Sequence, residues 1–274
     1  MNRSLLTVSL LVLSLHAFVS PPFELQPRTR ADFDRYAAAT AERVERESTP
    51  TGPFLYLQHA SSDNGATALA RLRAGQFIYE RLQTFTSDGE EIEIHDGLAH
   101  HWLGAAFVPG VSVDEALELV QSYDAHADIF PEVERSRLLS KNGDTYRAFL
   151  RFRKHKVITV VMNTEHEARY VWVTPERAYS LSHSTRIQEV EGADTPDERE
   201  LPEGEGHGFM WAMNSYWRFL ERDGGTYIEC ESITLTRTIP YLLRWLVGPF
   251  VNDVPRASLQ SLLEISRDEL RTNR

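Results

Sequence analysis

A single cysteine in 274 residues, Cys230, excludes an internal disulfide and a cysteine metal cluster. Basic residues are also short: 29 Lys and Arg stand against 40 Asp and Glu, a net charge of −11 that would repel nucleic-acid phosphates over most of the surface. The apolar run over residues 5–15 is shorter than the roughly 20 residues a membrane-spanning helix needs. No cysteine follows that run, which excludes a lipid-modified N-terminal cysteine. The chain has no His-Glu-x-x-His helix and no Gly-x-Ser-x-Gly elbow. His100-His101 and Glu165-His166-Glu167 are metal-ligand types, but neighbours in a strand point to opposite faces, so neither a metal nor a cofactor is expected. The glycines over 204–208 lack the strand-to-helix setting that aims backbone amides at phosphate.

What is present begins with MNRSLLTVSLLVLSLHAFVS, a basic residue, a short apolar run and small residues. This is the pattern of a secretory signal peptide over 1–20, and it predicts an exported, periplasmic or secreted protein; an uncleaved N-terminal membrane anchor is the alternative. Residues 21–90 read as an N-terminal extension. In it Phe33, Tyr36, Ala37, Ala41 and Val44 recur at helical spacing, FLYLQ looks like a short strand, and GQFIYERLQTF reads as strand or helix.

From residue 91 the pattern becomes regular. Residues 95–109 are extended, and Ser112 with Glu115 makes a capping box ahead of a helix. A second short helical piece ends at Pro131, and strands separated by turn signals follow. GFMWAMNSYWRF, residues 208–219, fits either period, but the Asp223-Gly224-Gly225 turn and the Thr-rich and Ile-rich run after it predict a β-hairpin, with strands over 208–220 and 226–237. After Pro255, Leu259, Leu262, Leu263, Ile265 and Leu270 predict a C-terminal helix.

Strand, two short helices, six strands and a long helix is an α+β order in which the helix must lie on the sheet to bury both apolar faces. With the stretch FVPGVSVDEALELVQSYDAHADIFPEVERSRLLS, this order resembles the helix-grip fold of the START-like (SRPBCC) superfamily, which includes lipid-transfer START domains, coenzyme Q-binding proteins and polyketide cyclases. The resemblance covers residues 95–272. It implies a seven-stranded antiparallel sheet curved around the C-terminal helix, forming a START-like domain over 91–274 with a cavity for a hydrophobic ligand such as a lipid or isoprenoid.

Alternation assigns candidate cavity residues. Tyr146, Leu150 and Phe152 share one face of their strand, with Arg147, Arg151 and Arg153 toward water. Trp211, Met213 and Trp217 share the face opposite Asn214 and Arg218. Ser182, Ser184 and Arg186 share another face, whose direction the sequence leaves open. Glu229 and Glu231 lie on the parity of Ile233 and Leu235; if buried they need a partner, for which Arg186 is the candidate. The expected activity is binding or transfer by enclosure. The alternative is a cyclase-type or hydratase-type enzyme using Glu229 or Glu231 with His183 or Tyr146 as acid and base, and a further one is a filled domain that docks a partner. Arg151, Arg153, Lys154 and Lys156 form a basic hairpin end that could touch anionic lipid headgroups.

Overall fold

Asp223 and Gly224 both adopt positive φ, 59° and 79°, while Arg222 and Gly225 pair across the turn. This is a two-residue hairpin loop of the mirror-image type, and its twist matches that of the strands it joins. It anchors the centre of the sheet. The computed structural model describes residues 23–60, 65–155, 158–238 and 244–272, with side chains described throughout except at Ala60 and over 244–253. The leader over 1–20 and Lys156 lie outside the described residues.

In chain order the elements are β1 (Phe23–Glu24), α1 (Pro27–Glu47), α2 (Tyr56–Ala60), α3 (Ala66–Arg73), β2 (Ile78–Arg81), β3 (Gly97–Pro109), α4 (Val113–Gln121), α5 (His126–Ile129) and β4 (Val133–Asn142). There follow β5 (Thr145–His155), β6 (Thr159–Thr174), β7 (Arg177–Glu191), β8 (Arg199–Glu200), β9 (Glu205–Gly206), β10 (Ala212–Arg222), β11 (Gly225–Arg237) and α6 (Arg244–Thr272). The main sheet runs β2-β3-β11-β10-β7-β6-β5-β4, antiparallel throughout, with β8 beside β7. Where seven strands were expected, the sheet has nine among the described residues, because β2 and β8 join the seven long strands. The Ser112–Glu115 capping box is formed as read. FLYLQ is not a strand, because Tyr56 opens α2. The C-terminal helix starts earlier than its breakers suggest, with Pro249 and Pro255 inside α6.

Both faces of the sheet are covered. On one, α6 and α4 pack against Val108, Ala168, Ala178, Trp217, Phe219, Ile228 and Cys230. On the other, α1, α2 and α3 cover Leu103, Ala105, Tyr216, Leu220, Tyr227, Ile233 and Leu235. The extension is therefore a second layer of the fold. Its strand β2 pairs with β3 from Ile78↔Ala105 to Arg81↔Trp102.

Gly104 sets how closely α6 approaches. A Cβ there would lie 2.4 Å from Leu263 Cδ1 and 3.2 Å from Leu259 Cγ, and both leucines are buried. Gly104→Ala must push α6 outward or force Leu263 off its rotamer, which should cost about 1–3 kcal/mol. Urea denaturation measures it, and an unchanged midpoint would mean that α6 does not seat on β3 as described.

Candidate functional site

Register places side chains on the α6 side of the sheet in transverse rows. One runs Ala168, Ser182, Ser215, Ser232, Trp102 across β6, β7, β10, β11 and β3. On one side of it lies His166, Ser184, Met213, Thr234, His100, where the Met213 N–H donates to Ser184 Oγ at 3.0 Å. On the other lies Tyr170, Ser180, Trp217, Cys230, Gly104. Directly opposite residues share a face, so each row is a line of neighbouring side chains.

The rows differ in cover. Tyr170, Ser180, Trp217 and Cys230 are buried beneath α4 and α6, with Trp217 stacked on Phe219 at 5.9 Å between ring centroids. In the other two rows Ser182, Met213, Ser215, Ser232, Thr234 and Trp102 are only half-buried, as are Leu150 and Phe152 nearby on β5. Among the described residues these form a partly covered strip beside α6. The rows carry no charged side chain on those five strands, but on the next strand, β2, Arg81 stands directly opposite Trp102, and the Arg256 guanidinium of α6 lies 5.9 Å from the Trp102 ring centroid. Desolvation holds His166 and His100 down to a pKa of about 4, so both are neutral at physiological pH; Thr164 Oγ1 lies 2.9 Å from His166 Nε2 and Thr236 Oγ1 3.0 Å from His100 Nε2.

Of the residues singled out in the sequence, Leu150, Phe152, Ser182, Ser184, Met213 and Trp217 all stand on the α6 side. Tyr146 does too, but beneath α4: its hydroxyl donates to Gln121 Oε1 at 3.0 Å, and it lines a separate open hollow of about 480 Å3 with Leu117, Leu138 and Trp172. Trp211 does not join Trp217. It precedes β10, where alternation does not apply, and it packs in the cluster under α1.

Arg186 also departs from the expectation. Ser184 pairs with His166 while Arg186 pairs with Glu165, so Thr185 is an extra residue in β7. Such a bulge reverses the alternation. Arg186 consequently faces solvent, 3.4 Å from Glu165 and 3.2 Å from Glu200.

Glu229 and Glu231 face away from the strip. Cys230, between them, pairs with Trp217, so if Trp217 points toward α6 the two carboxylates must point toward α1. Their partners come from there. Arg218 Nη1 donates to Glu229 Oε2 at 2.9 Å and Arg218 Nη2 to Glu47 Oε2 at 2.7 Å. Arg43 pairs with Glu231 and, at 3.2 Å, with Glu47. His101 Nε2 lies 2.8 Å from Glu231 Oε1, and Tyr36 Oη lies 2.9 Å from His101 Nδ1. The N–H groups of Tyr56 and Leu57 donate to Glu229 at 2.7 and 3.1 Å, so the sheet caps the start of α2. Arg218, Glu229 and Glu231 are each 1% exposed. Burial raises the Glu229 carboxyl against the pull of Arg218. Burial also raises Glu231, but the His101 hydrogen bond and the charges of His101, Arg43 and Arg218 outweigh it and hold that carboxyl at about 2. With the carboxylates sealed under α1 and α2, Tyr146 on the other face and His183 exposed, the acid–base pairing of the enzyme alternative is not assembled.

The basic hairpin end is not free either. Arg151, 3% exposed, donates to Glu134 at 2.9 Å and to both oxygens of Glu198 at 3.0 and 3.1 Å. Arg153 bonds Glu134 and Asp194, and Lys154 bonds Glu132 and Ser258. The acidic loop after β7 folds back onto Arg151 and Arg153, and these charges are neutralised rather than offered to lipid headgroups. Among the described residues no group of three His, Cys, Asp or Glu is placed to hold a metal ion, and no helix is long and apolar enough to cross a membrane.

The arrangement is α+β, a large antiparallel sheet with a long C-terminal helix laid on it, consistent with a helix-grip fold. No protein-family model matches the chain, and no curated protein does. Among solved structures the chain is similar to a STAR-related lipid transfer protein from Xanthomonas axonopodis, at 15% identity and a TM-score of 0.43, over 65% of this chain and 96% of that one. It is also similar to the Zhui aromatase/cyclase from Streptomyces, at 12% identity and a TM-score of 0.41, over 64% and 94% of the two chains. Human STARD10 is similar at 7% identity and a TM-score of 0.43, over 75% and 79%. Similarity this distant transfers no ligand and no residue role to this chain.

Proposed function

We propose that this protein binds a hydrophobic small molecule along the strip beside α6 and works by enclosing it. One observation carries the reading: Trp102, Leu150, Phe152 and Met213 stand half-buried on the α6 side of a sheet whose adjacent row is buried. Apolar surface at the bottom of a covered sheet gains free energy from an apolar occupant, about 25 cal/mol per Å2 removed from water. The reading includes export directed by residues 1–20, tested by the intact mass of the protein recovered from an exporting host.

Nile red, a neutral apolar dye, tests the binding. It should bind with a fluorescence rise, and native mass spectrometry should find one dye per chain. Ser215→Trp, which fills the strip, should abolish the signal while leaving the circular dichroism spectrum unchanged. Equal dye binding by both proteins would place the dye elsewhere and end this reading.

A further inference from the structure

Trp172, near the end of β6, is 43% exposed. It shares the face of Tyr170, whose hydroxyl bonds the Val120 carbonyl under α4, but it stands two residues nearer the hairpin end and escapes that cover. The ring divides two open hollows. One, of about 480 Å3, is walled by Leu117, Leu138 and Tyr146; the other, of about 370 Å3, is formed with Val173, Thr174 and Pro175. Around the first hollow the charges have both signs, Asp114 and Glu118 from α4 and Lys141 from β4. Neither carboxylate has a hydrogen bond or an ion pair to another described residue, and the Lys141 ammonium meets only the Tyr146 ring, 4.7 Å from its centroid. Asp114 lies in the first turn of α4, where the helix dipole favours a carboxylate. Glu118 and Lys141 have no such account within one chain.

We propose that two copies of the chain meet here about a twofold axis, each Trp172 seated in the hollow beside the other's Trp172 and each Lys141 facing the partner's Asp114 and Glu118. A twofold contact brings the same patch of both copies together, so the patch must complement itself. A knob adjoining a hole, ringed by unpaired charges of both signs, meets that need. Rotation about an axis beside the knob sets each knob over a hole and each lysine toward carboxylates. An aromatic centre with a polar rim is also the ordinary build of a protein interface. A small ion of either sign fits less well, since a cation meets Lys141 and an anion meets two carboxylates. None of the strip residues takes part, so the contact stands or falls apart from the binding reading.

Sedimentation velocity of the full chain from about 1 to 100 μM should show the mass rising from that of one chain to that of two. Trp172→Ala should weaken the dimer at least about tenfold, as truncation of a central aromatic anchor does. Lys141→Glu should weaken it as well, and so should D114N/E118K, because each sets like charges against one another in both halves of the contact. Mixing these last two variants is the decisive arm. Only a mixed pair places opposite charges together on both sides of the axis, so the mixture should dimerise while each variant alone remains mostly monomeric. All four positions are exposed, and circular dichroism checks that each variant folds. Should W172A fold poorly, the charge-swapped pair still decides. A native chain that stays monomeric throughout the range would overturn the proposal and leave this face to another occupant. So would a dimer unmoved by W172A and by either charge change, or a mixture no more dimeric than its parts.

Discussion

Arg218→Met will cost about 3–5 kcal/mol of folding stability, because it leaves Glu229, Glu231 and Glu47 facing one another in a sealed space with one guanidinium fewer. Among the described residues Arg218 is the only side chain that reaches both Glu229 and Glu47, at 2.9 and 2.7 Å. Without it, Glu229 keeps its two backbone donors, Tyr56 and Leu57, but loses its counter-charge. The double variant R218M/E229Q should recover a large part of the loss, since a neutral amide can still accept from those N–H groups and leaves no charge stranded. Urea midpoints of the native, single and double variants make the comparison. A loss below about 1 kcal/mol for R218M would mean that water reaches the cluster and that α1 is not sealed on the sheet.

Acidification from pH 7 to 4.5 will lower stability by several kcal/mol. His100 and His166 are held neutral by burial, with folded pKa values of about 4 against an ordinary value of 6.5. The unfolded chain therefore binds more protons between those limits. Their contribution is complete above pH 6.5 and is lost as the pH falls through about 4, at about 1.4 kcal/mol per pH unit for each histidine. Burial lowers His126 as well, which adds in the same direction. Glu229 works the other way: its raised carboxyl accepts a proton in the folded state before the unfolded one, offsetting part of the loss in acid. Glu231 adds a further loss only as the pH falls from about 4.5 toward 2. His166→Gln should flatten the decline by about half, measured as urea midpoints at half-unit steps of pH. A midpoint constant between pH 7 and 5 would show that these rings are hydrated in the folded protein.

The sequence carries the strands well and their faces less well. The Asp223-Gly224-Gly225 turn, the Ser112–Glu115 box and the alternation in β5 each name a local conformation, because each depends on residues close together in the chain. The face of a residue depends on the partner strand. Thr185 looks like any strand threonine, yet as a bulge it sends Arg186 to solvent while Ser182 and Ser184 stay beside α6. Trp217, Glu229 and Glu231 could not all point inward once Trp217 was paired with Cys230, and that pairing follows from the hairpin turn itself. Ser215 and Ser232 read in the sequence as surface residues; counting back from the turn sets them opposite each other.

The extension was the least legible part. The helical spacing of Phe33, Tyr36 and Val44 shows that α1 has a buried face but not what it covers, and Arg43 and Glu47 read as ordinary solvated charges. A signal did exist in the partner. Residues of β3 and β11 are buried on both parities, as in strands covered on two sides, and that run of apolar and small residues is what a second layer requires.

The clasp between α1 and the sheet joins residues 171 and 188 positions apart, Glu47 with Arg218 and Arg43 with Glu231. On a ribosome working at 5–20 residues per second, α1 is made roughly ten to forty seconds before the strands that receive it. For that interval α1 can pack on α2, α3, β2 and β3, but Arg43 and Glu47 lack Glu231 and Arg218. The layer that covers β10 and β11 on that side precedes them in the chain. The α1 side of β10 and β11 thus has its covering layer waiting in the nascent chain, with its charges unmatched, until these two strands have been made.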